Sequence, residues 1–115
     1  MDIEEVRRFA LSLDGGVTEE LFAEQWISWL IGGKWFLLMQ LDAPEPRVAV
    51  KLPPAVGEEL RDSHDGVRPA YHMNKTHWLG VLLDGTAEED TVKTLLEISY
   101  DLTAPKPRRK ERNHD

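Results

Sequence analysis

The segment "WISWLIGGKWFLLMQL", residues 26 to 41, constrains the fold more than any other part of the chain. It holds two aromatic and branched apolar runs, about 26 to 31 and 35 to 41, with Gly32-Gly33-Lys34 between them. Two β-prone runs joined by a glycine pair predict an antiparallel hairpin. The glycines and Lys34 also break the run well short of the ~20 apolar residues needed to cross a bilayer. Trp26 and Trp29 have opposite parity, so a regular strand turns only one of them inward.

The rest of the chain extends this hairpin. "RVAVKL", residues 47 to 52, alternates, with Val48, Val50 and Leu52 on one side and Arg47, Ala49 and Lys51 on the other, which predicts one buried and one wet face. "HWLGVLL" predicts another strand closed by Asp84-Gly85, and residues 67 to 71 a short one weakened by Pro69. Residues 3 to 13 place Ile3, Val6, Phe9, Ala10 and Leu13 at helical spacing, with Asp2 and Glu5 set for a capping box. "VTEELFAEQ" reads as a loop. "PPAVGEELRDSH" reads as a helix with proline in its first turn. In the last helix Thr86 is the expected cap with Glu89 at the third position, and Val92, Leu95, Leu96, Ser99 and Leu102 form the apolar stripe. The order is helix, three strands, helix, two strands, helix. Hairpin-clustered strands with helices at the junctions predict an α+β domain: an antiparallel sheet of about five strands with helices on one face.

Charge divides the chain. The domain is expected over 1–103, and residues 104–115 form a basic tail, expected to be solvated and disordered. The tail has five basic and two acidic residues, net +3; the other 103 residues have 9 and 19, net −10. An acidic body argues against a general nucleic-acid binder with a basic face. The acids are nevertheless segregated: spans 26–41 and 47–52 contain none, and neither do the eighteen residues from Gly66 to Leu83. Arg47 and Lys51 are therefore candidates for a cationic patch on the open sheet face. The absence of cysteine removes disulfides and thiolate metal sites. With an acidic, amphipathic N-terminus unlike a secretory signal, it predicts a cytoplasmic protein with no membrane partner.

Catalytic and cofactor patterns are absent. His72 and His77 are five apart with no carboxylate between them, which fits hydrogen-bonded loop histidines and predicts no metal. Ser12, Ser28, Ser63 and Ser99 lie in no G-x-S-x-G elbow, and "DSHD" at 62 to 65 reads as a polar helix end. Neither "DGG" nor "GGK" forms a phosphate loop. The expectation is a non-enzymatic protein without a cofactor.

The acid-free stretch contains "YHMNKTHW", residues 71 to 78. Read as structure, it is a tied turn, with Asn74-Lys75 at the bend, Tyr71 and His72 bracing it and Trp78 packed across it. Read as a site, Lys75 and Arg68 meet phosphate, Asn74 hydrogen-bonds a base or backbone, and Trp78 or Tyr71 offers a stacking surface, with His72 and His77 alongside. Trp78 is the leading candidate for an exposed aromatic.

Tyr71-His72-Met73-Asn74-Lys75-x-His77-Trp78 resembles the hallmark of the bacterial YjbR/MmcQ-like proteins. The opening helix, Gly16-Val17-Thr18-Glu19, Gly32-Gly33-Lys34 followed by an aromatic, and the closing "LLDG" extend the resemblance over residues 1 to 103. Two departures occur: Asp14-Gly15-Gly16 where Pro-Gly is usual, and Leu21-Phe22-Ala23-Glu24 where Pro-Phe-Gly-Glu is usual. The resemblance implies an α-β3-α-β2-α fold similar to secretion chaperones and frataxin-like (CyaY-like) proteins, and DNA binding through a double-wing motif. It implies no catalytic residues. DNA is thus the first candidate partner; a protein partner, or a second copy of the chain, is the alternative, docking on the open sheet face as on an adapter or chaperone.

Overall fold

The computed structural model describes residues 1–13, 16–69 and 77–105. Helix α1 spans Ile3–Ser12. It is followed by β1 (Thr18–Phe22), β2 (Trp26–Ile31), β3 (Lys34–Gln40), β4 (Arg47–Lys51), α2 (Pro54–Ser63), β5 (Val67–Pro69), β6 (Trp78–Leu82) and α3 (Glu89–Thr103). The strands make one antiparallel sheet in the order β1-β2-β3-β4-β6-β5. The α+β architecture is as expected, with six strands rather than five.

The added strand is β1, in the segment read as a loop. Two glutamates hide its β character. Glu19 is held from both sides: its Oε1 accepts from the Trp29 indole Nε1 at 2.9 Å and from Arg7 Nε at 2.6 Å. This ties edge strand to core strand and to α1. The same contact holds the Arg7 guanidinium above its usual pKa, chiefly through its hydrogen bond to Glu19.

Helix α1 starts as its sequence demands. The Asp2 carboxylate accepts from the Glu5 N–H, and the Glu5 carboxylate accepts from the Asp2 N–H. In α3 the expectation fails at both ends. Thr86 does not cap the helix; its N–H donates to the Asp84 carboxylate within the preceding turn, and the helix begins at Glu89. The Thr86 hydrogen bonds are the main reason that the Asp84 carboxyl sits below the usual carboxylate range. At the other end Leu102 is exposed, and the buried stripe runs through Val92, Leu95, Leu96, Ser99, Tyr100 and Thr103. Position 103, eleven residues after Val92, returns closer to the starting azimuth than 102 does at 3.6 residues per turn.

The helices share a core with one face of the sheet. Val6 and Ala10 of α1 and Val92, Leu95 and Leu96 of α3 join Trp29, Leu37, Met39, Val48, Val50, Leu79 and Val81. Register explains the set: Trp29, Leu37, Val50 and Leu79 form one cross-strand row, and Met39, Val48 and Val81 the next. Phe36 is the exception to alternation. Trp29 pairs with Leu37 and Leu30 with Trp35, so Phe36 is the extra residue of a bulge. It reaches the same core and meets Tyr100 edge-on, with ring centroids 5.5 Å apart.

Of the two tryptophans of opposite parity, Trp29 is fully buried on the helix side. Trp26 packs on the opposite face against Leu38, Ala49 and Trp78. The β2–β3 turn uses left-handed backbone at Gly32 (φ 62°) and Gly33 (φ 77°). A side chain at Gly32 would also come within 2.8 Å of the Pro105 ring, so this glycine admits the chain leaving α3.

Ala23 accounts for one departure from the family pattern. It lies in the β1–β2 turn at φ 51°, the left-handed conformation, at the position where glycine is usual. An L-residue there costs roughly 1–2 kcal/mol, partly offset by the extra unfolded-state entropy of glycine. Ala23→Gly is expected to stabilise the domain by about 0.5–1 kcal/mol, read as a higher urea midpoint at unchanged slope.

Candidate functional site

The open sheet face differs from expectation. Arg47 and Ala49 were to be on a wet face, yet each is only 8% exposed, and Lys51 is half-buried. Trp78, the expected exposed aromatic, is also 8% exposed. The reason is local packing. Leu38, Ala49 and Gly80 make one row across β3, β4 and β6. The two indoles, Trp26 and Trp78, join Leu38 and Ala49 in a small second cluster, and Leu38 is fully buried there. Arg47, opposite Leu82, sits in a tight groove with Trp26 and Gln40, its Nη2 2.8 Å from Glu45. Strand β4 is buried on both faces. Of the proposed stacking and phosphate groups, neither Trp78 nor Arg47 presents an open surface.

Tyr71, His72, Asn74 and Lys75 lie outside the described residues. Arg68 and His77, on either side of that segment, are both exposed. Arg68 opposes Gly80 on β6, and its Nε donates to the Asp65 carbonyl at 2.7 Å, which fixes the guanidinium beside the α2–β5 turn. His77 is anchored through its backbone: its carbonyl accepts from the Leu52 N–H at 2.8 Å, which places it beside the start of α2.

Helix α2 connects these two points. A cleft of about 280 Å³ opens between α2 and the start of β6, lined by Leu52, Pro54, Gly57, Glu58, Arg61, His77 and Leu79. A neighbouring groove of about 310 Å³ is lined by Arg61, His64, Asp65, Val67 and Arg68. Arg61 belongs to both. The α2–β5–β6 edge thus brings together Arg61, His64, Arg68 and His77, all exposed.

Arg61 and His64 escape the sequence reading because the segment reads only as a helix with proline in its first turn and a polar end. A signal was present. Glu58 and Arg61, three residues apart, share one face of α2, and a glycine inside a helix marks a close approach. A Cβ at Gly57 would lie 3.1 Å from Leu79 Cδ1.

Among the described residues some cations have a carboxylate partner and others, Arg8, Lys34 and Lys51 among them, are in no ion pair. Arg7 pairs with Glu4 and Glu19, Arg47 with Glu45 and Lys93 with Glu89. Among the described residues Arg61 is within ion-pair distance of no carboxylate. Arg68 uses Nε for a backbone carbonyl and makes the smallest of the contributions that lower the Asp84 pKa. Among the described residues no three His, Asp or Glu side chains converge as a metal site would require, and no helix is long and apolar enough to cross a membrane.

Fold and edge together define a small α+β domain with two solvent-open grooves meeting at one arginine. The YjbR family model matches residues 11–102, and the chain belongs to that family. It is 42% identical over 55 residues to the uncharacterised protein YjbR of Escherichia coli K12, and 37% identical over 54 residues to the uncharacterised protein YyaQ of Bacillus subtilis. These matches cover 48% and 47% of this chain, and 47% and 45% of those relatives; the chain thus spans about half the length of the curated relatives it matches. Its fold is similar to the crystal structure of a Deinococcus radiodurans protein, with TM-score 0.82 and 30% identity over 96% of this chain and 86% of that one. A Pseudomonas syringae protein gives TM-score 0.78 and 25% identity over 90% of this chain and 99% of that one.

Proposed function

We propose that this YjbR-family domain is a non-catalytic binding module that holds the phosphate backbone of DNA along its α2–β5–β6 edge. The observation that carries the reading is the meeting of the two grooves at Arg61, with Arg68, His64 and His77 exposed beside it. Guanidinium groups suit phosphate because their planar fork donates two hydrogen bonds to it. Backbone contact of this kind positions a duplex without reading its sequence.

Electrostatics sets the scale. A body of net −10 repels a polyanion, so binding requires the local cations to outweigh the general field at short range. Glu58 and Asp65 stand in the same grooves and reduce the attraction further. The reading therefore predicts weak, non-specific binding, with a dissociation constant of roughly 10⁻⁴–10⁻⁶ M and a steep loss with salt. The adapter reading needs an exposed apolar sheet face, and it draws less support because Leu38, Ala49, Trp78 and Leu82 on that face are already buried.

Fluorescence anisotropy of a labelled duplex, titrated at several salt concentrations, tests the proposal. Arg61→Gln combined with Arg68→Gln is expected to weaken binding for all sequences alike and to flatten the log–log salt slope by about 2, one phosphate contact for each arginine. An unchanged slope in the double variant, or no binding by the parent protein at low salt, contradicts it.

A further inference from the structure

The α2–β6 cleft has a chemistry that phosphate contact does not use. Its floor is apolar: Leu52, Leu79 and Pro54, with Gly57 contributing no side chain. Its rim carries both signs of charge. Glu58 and Arg61, three residues apart on α2, line the same cleft, and His77 faces them from the start of β6. Residues at this spacing on a helix commonly pair with each other. Here they are not within 4.0 Å, and among the described residues neither has another ion-pair partner. A carboxylate and a guanidinium thus line one cleft together with Leu52 and Leu79, neither of them in an ion pair among the described residues.

The geometry points to a binding site for a small zwitterion with an aliphatic body, of the class of a free aliphatic amino acid. Arg61 receives the carboxylate as a bidentate donor, with His77 beside it. Glu58 accepts from the ammonium group. Leu52 and Leu79 take the aliphatic side chain, removing its apolar surface from water. A volume of about 280 Å³ suits a small guest, since pockets for larger ligands run from about 300 to 1,000 Å³. A polyanion leaves Glu58 unsatisfied and the apolar floor empty, so this inference stands without the DNA reading.

The experiment is a titration of the ¹⁵N-labelled protein with L-leucine, followed by amide chemical shifts. Saturable shifts are expected at Gly57, Arg61, His77 and Leu79. Glu58→Gln and Arg61→Gln each weaken binding at least fivefold, while Arg68→Gln, outside the cleft, leaves it unchanged. 4-Methylpentanoate and isoamylamine carry one charge each on the same body and bind more weakly than L-leucine. All three positions are exposed, and amide dispersion of each variant reports directly whether it is folded. The proposal is overturned by the absence of saturable shifts, by shifts that survive both Glu58→Gln and Arg61→Gln, or by 4-methylpentanoate binding as tightly as L-leucine. DNA binding can fail without touching any of these readings.

Discussion

Trp29→Ala is expected to destabilise the domain by about 3–5 kcal/mol, the usual range for removing a large aromatic from a core. Trp29 is fully buried and shares a cross-strand row with Leu37, Val50 and Leu79, so truncation leaves a void beneath four strands. It also removes the indole N–H that holds Glu19. Edge strand β1 then keeps Arg7 as its side-chain tie to α1. Since small domains have only about 5–15 kcal/mol of total stability, the variant should unfold at much lower urea than the parent. Trp29→Phe separates the two effects: it keeps most of the volume and loses the hydrogen bond, for an expected cost of roughly 1–2 kcal/mol. Equal losses in the two variants would show that the Glu19 contact, rather than packing, carries the stability.

Ser99→Ala is the second large effect, from the loss of a single hydroxyl. The β3–β4 ladder runs through Met39–Val48, Leu38–Ala49 and Leu37–Val50 and stops there, because the bulge takes Phe36 out of register. Ser99, fully buried on α3, fills the missing rung. Its hydroxyl donates to the Phe36 carbonyl at 2.5 Å and accepts from the Lys51 N–H at 2.8 Å. Alanine leaves a buried acceptor and a partly buried donor unpaired, at about 1–3 kcal/mol each, so a total of about 2–6 kcal/mol is expected in urea denaturation. Hydrogen exchange at the Lys51 amide should rise together with it. A loss below about 0.5 kcal/mol would mean that the two strands close the rung without the serine. Ser99, which lies in no nucleophile elbow and falls on the apolar stripe of α3, thus has a structural task in joining helix to sheet.

The fold was largely legible because its signals are local. Gly32-Gly33 determines a hairpin, the Asp2–Glu5 box starts α1, and Pro54 opens α2; each acts over a few residues. What escaped depends on partners far apart in sequence. Strand β1 reads as a loop until Glu19 meets Arg7 and Trp29. Arg47 and Ala49 read as solvent-facing because alternation assigns a face, and it does not say that the two indoles will join Leu38 there. The site followed the same rule. Arg68 and His77 were marked by the acid-free stretch, whereas Glu58, Arg61 and His64 became meaningful only once α2 was set against β5 and β6. Ala23 shows the converse: the departure from glycine was visible in sequence, and its left-handed backbone supplies the physical consequence.

The central claim is that DNA is held along the α2–β5–β6 edge. Mapping amide chemical shifts of the ¹⁵N-labelled protein during addition of a short duplex at low salt tests it most directly. The account predicts perturbations concentrated at Arg61, His64, Asp65, Arg68 and His77, fading as salt is raised. Perturbations centred instead on Trp26, Trp35 and Gln40, or a spectrum unmoved by the duplex at low salt, would contradict it.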